Sequence, residues 1–178
     1  HREAQRLIGL VNDIIRLSRL DEGGPAAQWE SVDLYGQARS ILDQLSTAAE
    51  KKQVTMTLSG TSACVRGVPQ IVEEILYNLC DNAIRYNNPG GSVTVTAEPK
   101  GEKVMLQVAD TGIGISKEHQ QRVFERFYRV DKSHFKETGG TGLGLSIVKH
   151  GVMFHKGRIE LESELDKGTT IKIFLPRK

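Results

Sequence analysis

At 178 residues, with 38% apolar and 26% charged side chains, the chain suits one globular unit with its own core plus a short appendage. A net charge of +2 gives no electrostatic reason to expect a nucleic-acid partner, and two cysteines make neither a disulfide framework nor a zinc site. No apolar run approaches the ~18 residues of a membrane-spanning helix and no signal peptide is evident; a chain that starts at His1 reads as a soluble fragment of a longer protein, without membrane contact of its own.

Residues 1–20 read as an amphipathic helix, with Leu7, Leu10, Val11, Ile14, Leu17 and Leu20 at three- and four-residue steps. Ile8 and Ile15 widen its apolar face beyond the need of one partner helix, which predicts packing in a bundle or dimer. The plainer alternative is that it lies on the domain that follows. Asp21 to Ala27 carries two glycines and a proline, a linker signature, so the chain divides into 1–22, a linker at 23–30 and a main domain at 31–178. Asp33 is placed to cap a helix running to about Gln53, with Ala38, Ile41, Leu42, Leu45 and Ala49 as its stripe. Val54–Leu58 alternates like a strand, and Ala63–Arg66 suits a short one. Pro69 opens a long helix whose buried row is Ile71, Ile75, Leu79 and Ala83. Val93, Val95 and Ala97, then Val104, Leu106 and Val108, alternate on either side of a turn at Pro99–Glu102, as in a hairpin. Short helices over 116–127, a polar loop over 130–140, a helix over 142–154, and strands at 158–163 and 169–175 complete the chain. The order predicts an α/β (α+β) two-layer sandwich: a mixed, mostly antiparallel sheet covered by helices on one face, preceded by one amphipathic helix.

Three stretches carry chemistry. On the long helix, Asn78, Asn82 and Arg85 recur at helical spacing on the face opposite the apolar row. An asparagine carbonyl is a neutral hard oxygen, suited to Mg²⁺ that is also held by phosphates. Asp110 ends a strand, and Gly112 and Gly114 let backbone approach a ligand. An ionised carboxylate only accepts hydrogen bonds, so it matches the exocyclic amine of adenine and opposes the carbonyl of guanine. An unpaired buried polar group costs roughly 1–3 kcal/mol, which predicts at least about tenfold preference for ATP over GTP. Gly140, Gly142 and Gly144 sit where a loop becomes a helix, and the amides and dipole of a helix start favour phosphate. The Gly-Lys-Ser/Thr ending of a Walker A loop is missing. Between Phe124–Arg129 and Gly139, the polar run Val130–Thr138 fits a mobile lid, with Phe124 and Phe127 as its hydrophobic anchors.

The stretches Asn78–Tyr86, Asp110–Ile115, Phe124–Arg129 and Gly139–Leu145, in that order, resemble the N, G1, F and G2 boxes of bacterial sensor histidine kinases. The resemblance covers nearly the whole chain and implies a Bergerat-type ATP-binding fold. It implies that Asn82 binds the metal, and that Asn78 and Arg85, the latter in place of the usual lysine, contact nucleotide or phosphate. Tyr86 would pack near the nucleotide and Ile115 on the purine, with Gly140, Thr141, Gly142, Leu143 and Gly144 around the phosphates. Arg129 resembles the arginine that neutralises the γ-phosphate in the transition state, with Lys132 as a helper. Related ATP-hydrolysing domains of the gyrase and chaperone type carry a glutamate general base where this chain has Asn78, whose amide cannot take a proton. That favours transfer to a histidine over hydrolysis, the other alternative being a nucleotide-binding module without catalysis. None of the five histidines has the family's acceptor pattern, and residues 1–20 resemble instead the second helix of the dimerisation and histidine-phosphotransfer domain. The implied partners are ATP with Mg²⁺, that histidine-bearing domain of the same protein in a homodimeric parent, and a response regulator. The parent is expected to be held in the bacterial membrane with this part in the cytoplasm.

Overall fold

The computed structural model describes residues 1–21, 28–130 and 140–177. The expected lid, with Lys132, and most of the expected linker lie outside the described residues.

Among the described residues there are five helices, α1 (Arg2–Asp21), α2 (Leu34–Lys52), α3 (Pro69–Arg85), α4 (Lys117–Gln120) and α5 (Gly144–Phe154), and seven strands. These are β1 (Glu30–Asp33), β2 (Thr55–Gly60), β3 (Cys64–Gly67), β4 (Ser92–Lys100), β5 (Lys103–Asp110), β6 (Arg158–Glu164) and β7 (Gly168–Pro176). The main sheet runs β2-β4-β5-β7-β6, with β2 and β4 parallel and every other pair antiparallel. Val93, Val95 and Ala97 of β4, Val104, Leu106 and Val108 of β5, and Ile171, Ile173 and Leu175 of β7 are buried on one face. There they meet Ala38, Ile41 and Leu45 of α2 and Val72, Ile75, Leu76 and Leu79 of α3 in one core. Cys80 belongs to that core, and burial pushes its thiol up to about 12, so it is an inert apolar side chain.

Helix α2 begins and ends for local reasons. The Asp33 carboxylate accepts from Tyr35 N–H at 3.2 Å, and Gln53 turns into the left-handed region at φ 59° to close the helix. The same Asp33 oxygen accepts from Ala63 N–H at 3.1 Å, so the cap also ties α2 to the start of β3.

Four local expectations need correction. A second sheet exists: β1 pairs antiparallel with β3, from Glu30 opposite Gly67 to Asp33 opposite Cys64, and four residues are too few for periodicity to reveal. Pro99 belongs to β4, opposite Val104, and not to the turn; β2 stops opposite Ala97, so the missing N–H leaves no ladder bond unmade. Of residues 116–127 only Lys117–Gln120 is helical. In the F segment Val123 is buried and Phe124 partly buried, whereas Phe127, expected as an anchor, is 57% exposed at φ 61°.

Helix α1 follows the plainer reading on one side of its wide apolar face. Leu17 is buried against Leu143 and Ile147 with Leu10 and Leu20 beside it, so the helix lies on the start of α5. Leu7, Ile8, Val11, Ile14 and Ile15 remain exposed on its other side. Trp29 and Glu30, at the end of the expected linker, already pack: Trp29 stacks on Phe154 with centroids 5.3 Å apart and meets His155 edge-on, while Glu30 opens β1.

His155 is buried as a neutral ring. Its Nε2 accepts from Val68 N–H at 3.0 Å, which leaves Nδ1 to donate to Gly151 C=O at 2.7 Å. Burial holds its pKa below the ordinary imidazole range, against the raising effect of the Gly151 bond. The folded chain therefore binds fewer protons here than the unfolded chain. The His155 contribution is complete above the unfolded histidine pKa and is lost as pH falls through the depressed folded value. His155→Leu is expected to cost about 1–3 kcal/mol at neutral pH by orphaning the Val68 N–H, and to flatten the acid slope of stability. Urea titrations of both proteins between pH 5 and 8 check this; parallel slopes would assign the titration elsewhere.

Candidate nucleotide-binding site

A cavity of about 980 Å³ opens between α3, the loop after β5 and the start of α5. Asn78, Asn82, Arg85, Tyr86, Asp110, Gly114, Ile115, Arg129, Gly140, Thr141, Gly142 and Gly144 line it. Of the expected residues that are described, two do not. Gly112 acts behind the wall through its N–H, and the Leu143 side chain is buried with Leu17 and Ile147.

The amide strip of α3 faces the N-terminus of α5 at a separation that glycine permits. A Cβ on Gly144 would stand 3.1 Å from Asn78 Oδ1 and 3.6 Å from Asn82 Oδ1. Two turns on, a Cβ on Gly151 would stand 2.8 Å from Ile75 Cγ1. These two glycines let the helices cross closely, so the first amides of α5 sit beside both asparagines. Asn78 donates its Nδ2 to Glu74 C=O at 2.7 Å, which orients its Oδ1. The Arg85 guanidinium bonds Asp81 at 3.2 and 2.9 Å, so part of its charge is already compensated.

The loop after β5 is wedged at both ends. Ile113 N–H donates to Tyr86 C=O at 3.0 Å, and Asp166 N–H donates to Ile113 C=O at 2.8 Å. Ile115 N–H donates to Ser163 Oγ at 2.8 Å, while Gln120 Nε2 donates to Ile115 C=O at 2.8 Å. At the centre, Asp110 Oδ1 accepts from Gly112 N–H at 2.9 Å and Thr169 N–H at 3.2 Å. Both bonds go to one oxygen, which leaves Oδ2 for a donor in the cavity. Burial raises the Asp110 carboxyl above the usual range, opposed by those two backbone bonds.

On the far side, Phe127 N–H donates to Gly142 C=O at 3.0 Å, and Arg129 Cγ stands 3.4 Å from a Cβ built on Gly142. Arg129 thus lies along the glycine loop. Among the described residues, no group of three or more histidine, cysteine or acidic side chains could hold a metal. Beside the start of α5 the donors are the neutral amide oxygens of Asn78 and Asn82, with Arg129 along the glycine loop. Such a set fits Mg²⁺ only when an anionic ligand shares it, as a triphosphate would.

Sequence reasoning missed one wall entirely. Gln5, Arg6, Gly9, Asp13 and Arg16 of α1 also line the cavity. Tyr128 and Thr169 join them from the core domain. No local pattern marks a helix face as a cavity wall, because that depends on where the helix docks.

The model of the "Histidine kinase-, DNA gyrase B-, and HSP90-like ATPase" family matches residues 67–178. The chain belongs to this ATP-binding family. It is 37% identical over 175 residues to the sensor-like histidine kinase SenX3 of Mycolicibacterium smegmatis, across 98% of this chain and 46% of that protein. It is 36% identical over 180 residues to the sensor protein SrrB of Staphylococcus aureus, across 98% of this chain and 30% of SrrB. The chain therefore spans less than half the length of these curated relatives. Among solved structures, the mycobacterial sensor histidine kinase MprB superimposes with a TM-score of 0.73 at 28% identity, over 84% of this chain and 97% of that one. Full-length ShkA, solved in complex with AMPPNP, gives 0.80 at 30% identity over 96% of this chain and 35% of that one. By fold and descent this is a domain homologous to the ATPase catalytic domains of sensor histidine kinases. Among the described residues, no helix is long and apolar enough to cross a membrane.

Proposed function

We propose that this chain is the catalytic part of a protein-histidine kinase. It binds Mg²⁺–ATP in the cavity and donates the γ-phosphate to a histidine outside these residues, for relay to a response-regulator aspartate. In this reading α1 is the end of the second helix of the dimerisation and histidine-phosphotransfer domain of a homodimeric parent. Residues 31–178 form the catalytic domain, on the cytoplasmic side of a membrane-anchored protein.

The carrying observation is the convergence of Asn82, Asp110, Arg129 and Gly142 on one cavity. Asp110 Oδ2 accepts the adenine amine and sets the base. Asn82 Oδ1, with Asn78 beside it, is the protein ligand for Mg²⁺, which screens the phosphates and favours the charge distribution of transfer. The amides of Gly142 and Gly144 and the guanidinium of Arg129 hold the phosphate end, and Lys132 is assigned to it as well. Arg85 adds positive charge through a guanidinium already shared with Asp81. The Pγ–O bond to ADP breaks as the bond from phosphorus to imidazole nitrogen forms, and the domain contributes positioning and charge. The position one turn before Asn82 carries no general base for water. Asn78 stands one turn before Asn82, and Glu74, a turn earlier, points to Arg16 Nε at 3.7 Å. Burial raises the Glu74 carboxyl above the usual range.

The test is transfer in trans. With radiolabelled ATP and Mg²⁺, a separate acceptor-helix protein should gain acid-labile label on histidine while this chain gains none, and GTP should support it at least about tenfold less well. Steady phosphate release without an acceptor would move the chain to the gyrase and chaperone class. No binding of an ATP analogue at millimolar concentration would leave only an interaction module.

A further inference from the structure

Helix α1 forms a wall of the nucleotide cavity, and its contact with the glycine loop is built from matched parts. Leu17 is buried against Leu143 and Ile147, at the root of that loop. Gly9 passes Thr141, where a Cβ would stand 3.9 Å from the threonine methyl, in ordinary van der Waals contact. At the end of α1, the Asp21 carboxylate accepts from Arg126 Nη2 at 2.7 Å. Between these, the Thr141 hydroxyl donates to Asp13 Oδ2 at 2.7 Å and accepts from Leu143 N–H at 3.3 Å. A carboxylate of α1 thus bonds directly to the loop that the proposed function assigns to the triphosphate.

The sign of the α1 charges decides the consequence. Its two cavity-lining cations already face acids: Arg16 meets Glu74 at 3.7 Å, and the half-exposed Arg6 lies 4.0 Å from Glu3. The α1 charge that touches the loop is negative. Resting on the nucleotide reading above, we infer that Asp13 stands in for a phosphate. It keeps the glycine loop occupied while α1 is docked, and the terminal phosphates of ATP must displace it. Docking of α1 and binding of the triphosphate then oppose each other through one hydroxyl and one carboxylate. Linkage makes the effect reciprocal: whatever factor docking takes from ATP affinity, ATP takes from docking. The base end of the nucleotide, held at Asp110, is indifferent to Asp13. ATP entry would thereby release the helix that leads to the phosphoacceptor.

Calorimetric titration of the whole 178-residue chain with Mg²⁺–AMP-PNP and with adenosine separates the possibilities. Asp13→Asn keeps the shape and an acceptor oxygen but removes the charge. Its Kd for AMP-PNP should fall roughly five- to tenfold, while that for adenosine changes less than about twofold. Leu17→Asp, which detaches α1 by placing a charge in its apolar contact, should give a similar gain for AMP-PNP, and adding Asp13→Asn to it should give no more. Equal AMP-PNP affinity in the wild type and Asp13→Asn overturns the inference and leaves the nucleotide reading standing. An equal gain for adenosine also overturns it, because charge against phosphate would not be the cause. Failure of every variant and the wild type to bind AMP-PNP overturns the nucleotide reading, and the inference falls with it.

Discussion

Asn82→Ala is expected to lower Mg²⁺-dependent ATP binding and phosphotransfer by on the order of 10²–10³. The magnitude follows from its place as the amide assigned to the metal, at a site whose described residues offer no cluster of acidic or histidine ligands to replace it. The loss should be specific. Asn82 is half-buried on α3, and alanine is a better helix former than asparagine, so thermal stability should stay close to that of the parent chain. The distinguishing measurement is nucleotide affinity with and without Mg²⁺. The wild type should lose most of its affinity on chelation, and Asn82→Ala should be nearly insensitive to it. Unchanged Mg²⁺-dependent binding in the variant would remove Asn82 from the metal assignment.

Gly114→Ala is expected to be the most damaging single-methyl change in the loop after β5. The residue sits at φ 69°, where a side chain costs about 1–2 kcal/mol, and its Cβ would fall 2.0 Å from Glu164 C=O. Backbone cannot rotate away as a side-chain tip can, so the turn between β6 and β7 must move at a further cost of about 1–3 kcal/mol. The sum, about 3 kcal/mol, corresponds to a fall in Tm of roughly 6–12 °C for a domain of this size. Because Asp166 and Thr169 of that turn region brace Ile113 and Asp110, ATP affinity should fall as well. Gly101→Ala is the matched control. Its φ is 62°, yet nothing lies within 4 Å of its Cβ, so only the conformational cost remains. Thermal melts of the two variants decide the matter, and equal losses would show that the turn yields without cost.

Features with a local cause were legible in the sequence. The cap at Asp33, the proline at the start of α3 and the alternation of β4 and β5 depend on residues close along the chain, and each appears where expected. β1 escaped because four residues carry too little pattern and its partner, β3, lies some thirty residues away. Phe127 of the F segment misled for a related reason. Size and hydrophobicity favour Phe127 as an anchor, but it sits exposed at positive φ while Val123 is buried. For the site, residue chemistry named the amide strip, the carboxylate and the glycine loop, while the burial of the Leu143 side chain against α1 was not legible because it is a tertiary matter.

By itself the amino-acid order determined the helices and most of the strands, the ATP-binding motifs and the absence of a glutamate at Asn78, since these reside in short-range spacing and side-chain chemistry. Tertiary structure decided the rest. It chose Oδ2 of Asp110 as the available oxygen by tying Oδ1 twice, and it brought α5 close to α3 through Gly144 and Gly151. It also laid α1 across Thr141. The physical reason is that an amphipathic face states only that apolar surface must be covered, whereas what covers it depends on packing between segments more than a hundred residues apart.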